Sequence, residues 1–171
     1  MAVVNPRLQV VEQIPGPPVG GRKIALEMKD EILKLLSDDR IRKIGIWGMG
    51  GVGKTNLVRT LNNNLTDSAS PQLFHIVIWI TVSKDTDVKT IQSQLAQRLK
   101  MLTSMTESTE ESAIWLFERL KKEKKILLIL DDVWEKIDLD KVGIPQGDAH
   151  PGCKIILTTR FMDVCRGRHG N

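Results

Sequence analysis

The chain has 171 residues, 41% of them hydrophobic and 27% charged, values that suit a soluble globular domain or a piece of a larger protein. No apolar run approaches the roughly 18 residues that a membrane-spanning helix needs, and no basic-then-apolar leader follows Met1, so neither a transmembrane segment nor a secretory signal is expected. The net charge of +4, from 25 basic and 21 acidic residues, is too mild and too scattered to argue for a nucleic-acid partner.

Residues 1–20 read as a linker, because Pro6, Pro15, Pro17 and Pro18 and the glycines around them cannot sustain a helix. Residues 21–171 read as one domain. Within it Ile24, Met28, Ile32 and Leu35/Leu36 recur at helical spacing, which predicts an amphipathic helix over about 22–36, ended by Ser37-Asp38-Asp39. A strand over Lys43–Trp47 leads into Gly48-Met49-Gly50-Gly51-Val52-Gly53-Lys54-Thr55, and Leu57, Val58, Leu61 and Leu65 mark a helix from about 54 to 65. After a polar break comes Phe74 to Val82, a run too continuous for a half-exposed strand and of the kind found in parallel strands buried on both faces. His75 at its start reads as a plain strand-end histidine, since no second histidine or cysteine lies near it in sequence.

Val88, Ile91, Leu95, Leu99 and Leu102 predict the next helix, with Asp85 to Asp87 as its acidic first turn. Ser108 followed by Glu111 has the form of a capping box and opens a helix to about Leu120, on which Trp115 is expected to anchor the core. The basic run Lys121 to Lys125 reads as a solvated helix end. Ile126–Leu130 is the next buried strand and ends in Asp131-Asp132; Lys154–Arg160 is the last. Cys153 and Cys165 lack metal-ligand spacing and read as reduced thiols of a cytosolic protein.

Alternating strands and helices imply crossover connections, hence an α/β fold with a mostly parallel sheet flanked by helices. In such sheets ligands lie beyond the C-terminal strand ends. Three distinctive groups stand there. Residues 48–55 match G-x-x-x-x-G-K-[ST] between a strand and a helix, the context a phosphate-binding loop requires. Glycines let consecutive N–H groups turn around a polyphosphate, Lys54 would face its β- and γ-phosphates, and the Thr55 hydroxyl would ligate Mg²⁺. Asp131, behind four apolar residues, would hold the same magnesium, and Asp132 would orient or activate a water as a general base. Arg160 would sense a γ-phosphate through charge-assisted hydrogen bonds. The plain alternatives are a glycine turn without a ligand, an aspartate pair ending a strand, and a surface arginine.

The segments 48–55, 74–84 (Phe-His-Ile-Val-Ile-Trp-Ile-Thr-Val-Ser-Lys), 127–134 (Leu-Leu-Ile-Leu-Asp-Asp-Val-Trp) and 154–160 (Lys-Ile-Ile-Leu-Thr-Thr-Arg), in that order, closely resemble the NB-ARC domain of plant nucleotide-binding, leucine-rich-repeat disease-resistance proteins. Trp134 and the segment around Trp79 are similar to the coiled-coil branch. The resemblance covers about residues 17–165. It implies a P-loop NTPase fold of the STAND/AAA-like kind, with ADP holding a receptor off and exchange for ATP permitting self-association and immune signalling. At most a weak ATPase is implied.

The resemblance also assigns Val19 and Arg22, in Val19-Gly20-Gly21-Arg22, to adenine and ribose contacts. It marks Asn56 as a departure, since relatives usually carry a threonine whose hydroxyl touches the α-phosphate. An asparagine amide can still donate a hydrogen bond there, but it is bulkier. The family's last strand, its Gly-Leu-Pro-Leu and Met-His-Asp segments and the remaining ARC subdomains would follow Asn171. A fragment of a longer cytoplasmic receptor is therefore expected, with leucine-rich repeats and a coiled coil as partner domains and any membrane attachment left to an N-terminal domain. That topology leaves the strand Lys43–Trp47 at a sheet edge, so weak nucleotide binding and aggregation of the isolated chain are expected. Competing readings are a small-molecule or nucleotide kinase, for which no arginine-rich acceptor lid is evident between the loop and Asp131, and a degenerate scaffold without nucleotide. A GTPase would need Asn/Thr-Lys-x-Asp, which Ser83-Lys84-Asp85-Thr86 does not supply.

Overall fold

A computed structural model describes residues 12–15, 22–48, 53–67, 72–101 and 106–165. In chain order these form β1 (Glu12–Pro15), α1 (Arg22–Ser37), β2 (Lys43–Trp47), α2 (Lys54–Thr66), β3 (Ile76–Thr81), α3 (Val88–Arg98), α4 (Thr109–Lys121), β4 (Ile126–Val133), α5 (Leu139–Val142), β5 (Cys153–Thr159) and α6 (Met162–Cys165). The five strands make one parallel sheet in the order β1-β2-β5-β4-β3.

Burial along β4 shows why the fold takes this form. Ile126, Leu128 and Leu130 belong to an apolar cluster completed by Ile91, Leu95, Leu116 and Leu120 of α3 and α4. Leu127 and Ile129 belong to a second cluster, completed by Ile32 and Leu36 of α1 and by Leu57, Val58 and Leu61 of α2. Successive side chains of a strand point to opposite faces, so a continuous apolar run is what a sheet covered on both sides demands. The helix starts follow their caps. The Asp87 carboxylate accepts from the Thr90 backbone N–H at 2.8 Å, and the Ser108 hydroxyl accepts from the Glu111 N–H at 3.3 Å. Gly152 fits a tight crossing ahead of β5: a Cβ there would lie 1.7 Å from the Lys124 carbonyl oxygen.

Three expectations need correction. The stretch expected as linker contains β1, which pairs in parallel with β2 from Glu12↔Ile44 to Pro15↔Trp47. Consequently β2 is an interior strand, not the exposed edge; among the described residues the edges are β1 and β3. Edge pairing is made by backbone groups, and a stretch with one aliphatic residue, Ile14, carries no alternation to announce it. Trp115 does not anchor the core: it is 53% exposed, and α4 buries Ser112, Leu116 and Leu120 instead. That i, i+4, i+8 stripe includes a serine, whereas the exposed face carries Ile114 and Trp115, so polarity misstates which side faces inward.

Candidate functional site

The site lies at the C-terminal ends of β2, β4 and β5. Gly48, just past β2, donates its N–H to the Thr159 carbonyl at 3.1 Å, which ties the start of the glycine-rich segment to the end of β5. Gly53 caps α2 in a left-handed conformation, φ 83°, tolerable here because it has no Cβ. Lys54 opens α2 with only 9% exposure, and its ammonium donates to the Gly48 carbonyl at 2.5 Å. Burial pushes the Lys54 pKa down and the nearby Arg160 pushes it the same way, against the opposing pull of Asp132 and Asp131. An ammonium so placed gains most from an added anion.

The Thr55 hydroxyl lies 3.2 Å from one Asp131 carboxylate oxygen and 3.4 Å from the other. Asp131 is 3% exposed and also accepts from the Thr158 hydroxyl. Thr158 in turn accepts from the backbone N–H of Asp132 at 2.9 Å. This bridge spans a β-bulge. Leu130 pairs with Leu157 and Val133 with Thr159, so β4 spends one residue more than β5 over the same span. Asp132 absorbs the excess in a left-handed conformation, φ 62°, the kind of local strain that persists where surrounding contacts hold it.

Two adjoining cavities follow. One of about 260 Å³ is lined by Gly53, Lys54, Thr55, Asn56, Asp131, Asp132, Thr158 and Arg160. The other, of about 550 Å³, shares Thr55, Asp131, Asp132 and Arg160 with it and extends to Arg59, Trp79, Thr81 and Arg98. The structure thus brings Lys54, Thr55, Asn56, Asp131, Asp132 and Arg160 into one cleft. Val19, Met49, Gly50, Gly51 and Val52 lie outside the described residues, and of Arg22 only its backbone place at the start of α1 is described.

Sequence reasoning missed Thr158, Arg59 and Arg98. Thr158 had a signal, a polar residue directly after the apolar run Ile155-Ile156-Leu157 and two before Arg160. The arginines had none, because each sits among the polar positions of an ordinary amphipathic helix. Among the described residues no three His, Cys, Asp or Glu side chains gather as a metal cluster.

Comparison with known proteins agrees with this architecture. The family model described as NB-ARC domain matches residues 26–171. Disease resistance protein At4g27190 of Arabidopsis thaliana is 49% identical over 156 residues, covering 91% of this chain and 16% of its own length. Probable disease resistance protein At4g27220 of the same plant is 48% identical over 160 residues, covering 92% of this chain and 17% of its own. Disease resistance protein SUMM2, also from Arabidopsis thaliana, is 37% identical over 158 residues, with 91% and 17% covered. The chain therefore spans about a sixth of the length of these relatives. Among the described residues no helix is long and apolar enough to cross a membrane.

Proposed function

This chain belongs to the NB-ARC family of P-loop NTPase domains, and from that premise we propose that it is the ADP/ATP-binding switch module of a plant immune receptor. The observation that carries the proposal is the Thr55 hydroxyl 3.2 Å from the buried Asp131 carboxylate, beside Lys54, in one cavity at the sheet's C-terminal rim. The α2 N-terminus and the Lys54 ammonium bind the β- and γ-phosphates. Residues 48–53 supply backbone N–H groups around them, and Val19 and Arg22 contact the nucleoside. Thr55 and Asp131 hold Mg²⁺, which when bound neutralises phosphate charge. Asn56 donates its amide near the α-phosphate, with some loss of affinity relative to a threonine.

Asp132 orients the water that attacks the γ-phosphate, and Arg160 stabilises the charge on that group. Hydrolysis is slow, because Thr55 and Arg160 are exposed and the described cleft does not exclude bulk water. The module then acts by which nucleotide it holds rather than by turnover. In the intact receptor, contained in the cytoplasm, its partners are the leucine-rich repeats, the coiled coil and further copies on activation.

Calorimetric titration with ADP and with Mg-ATP tests this. Wild type should bind, and Lys54→Ala should bind at least tenfold more weakly, given that a charge-assisted hydrogen bond is worth roughly 1.5–3 kcal/mol. Identical weak signals from both would point to a scaffold that holds no nucleotide. One observation favours a kinase as the second reading: Arg59 and Arg98, both between the loop and Asp131 in sequence, line the larger cavity beside Asp132. Sustained phosphoryl transfer to an added acceptor would displace the switch.

A further inference from the structure

Trp134 follows the aspartate pair, one residue past the end of β4. Its indole N–H is buried with no hydrogen-bond partner among the described residues, so no hydrogen bond explains its placement. Cations and a second ring do engage it. The Arg160 guanidinium carbon lies 5.1 Å from the Trp134 ring centroid and the Lys84 ammonium 5.6 Å from it. The Phe161 ring sits 5.7 Å away at an interplanar angle of 60°. Arg160 itself is exposed, lines both cavities, and has no carboxylate within salt-bridge distance among the described residues.

A long exposed arginine carries rotamer entropy, part of which must be lost before it can grip a phosphate oxygen. A flat aromatic face over which the guanidinium already lies removes part of that cost, and cation–π attraction supplies the holding force. We infer that Trp134 is the positioning residue for Arg160, holding its guanidinium at the rim of the phosphate cavity so that the ring sets the preference for ATP over ADP. This rests on the nucleotide-binding reading above. On that reading Arg160 meets the third phosphate, so the ring acts on the ratio of the two affinities and leaves ADP binding alone.

The test uses the whole chain and titrates ADP and Mg-ATP into wild type, Trp134→Phe, Trp134→Leu, Arg160→Ala and the Trp134→Leu/Arg160→Ala double variant. Trp134→Leu should lower the ATP-to-ADP affinity ratio about three- to tenfold, the range expected for a partly desolvated cation–π contact. ADP affinity should stay within about twofold in the same variant. Trp134→Phe should retain most of the ratio, and the double variant should fall no further than Arg160→Ala. A fold-neutral measurement backs these up: fluorinated tryptophan throughout the chain should lower the ratio in wild type and leave Arg160→Ala unchanged.

Equal losses of ATP and ADP affinity in Trp134→Leu would make the ring merely structural and overturn the inference. So would an unchanged ratio in the leucine variant or in the fluorinated protein. A wild type that binds neither nucleotide overturns the switch reading and takes this inference with it. A wild type that binds both, with unaltered variants, overturns the inference alone.

Discussion

At the scale of single residues, the cleft is set up by one ammonium that is costly to bury. Lys54 is held below its ordinary pKa of 10.5 by burial and by Arg160. The folded state therefore releases this proton at a lower pH than the unfolded chain does. Between those two values the unfolded state binds more protons, so the group's contribution to stability rises with pH across that window and levels off above 10.5. At neutral pH the charge is a net burden on the ligand-free protein. Lys54→Met should then melt no lower than wild type at pH 7 without nucleotide, while losing the stabilisation that added ADP or ATP confers. A drop of several degrees in thermal denaturation would show that the bond to the Gly48 carbonyl outweighs the burial cost. Cys153 and Cys165 illustrate the opposite direction: burial pushes their thiols up to about 12 and about 11, so both stay protonated and unreactive in the folded protein at neutral pH.

At the scale of elements, the end of β4 decides whether the two carboxylates can work together. A regular strand would send Asp131 and Asp132 to opposite faces. The bulge re-aims Asp132, and Thr158 locks the result by donating to one residue's carboxylate and accepting from the other's N–H. Thr158→Val keeps the shape and removes both bonds, leaving a buried carboxylate short of a partner. The expected cost is about 1–3 kcal/mol in denaturant unfolding, with a larger loss of affinity for Mg-ATP than for metal-free ADP. Equal losses would place Thr158 outside the metal's influence. The strands and helices themselves were legible because each follows a local rule: an uninterrupted apolar run, a cap, a spacing of three and four. The bulge follows none, since two consecutive aspartates look alike whether or not the strand carries an extra residue. Trp115 misled for a related reason, because α4 is apolar over much of its circumference and only packing chooses the side.

For the whole molecule, the least visible strand has the largest effect on behaviour. By pairing with β2, β1 covers a row of backbone groups that would otherwise recruit other chains. Removing residues 1–15 should raise the fraction of oligomers in size-exclusion chromatography with light scattering. An unchanged elution profile would mean that β2 needs no cover. Such pairing could not be read in advance, because it depends on where β2 lies in space and not on any pattern in residues 12–15.

The strand order also dictates how the chain must come together as it leaves the ribosome. Two pairs form from neighbours or near neighbours in sequence, β1 with β2 and β3 with β4, while β5 alone touches both β2 and β4 and joins the pairs. Of the five described strands it is the last to be synthesised, and it delivers Thr158 and then Arg160. Until it slots in, the nascent protein is two unjoined leaflets, with the glycine-rich loop on one and Asp131 on the other, and the cleft is not yet assembled.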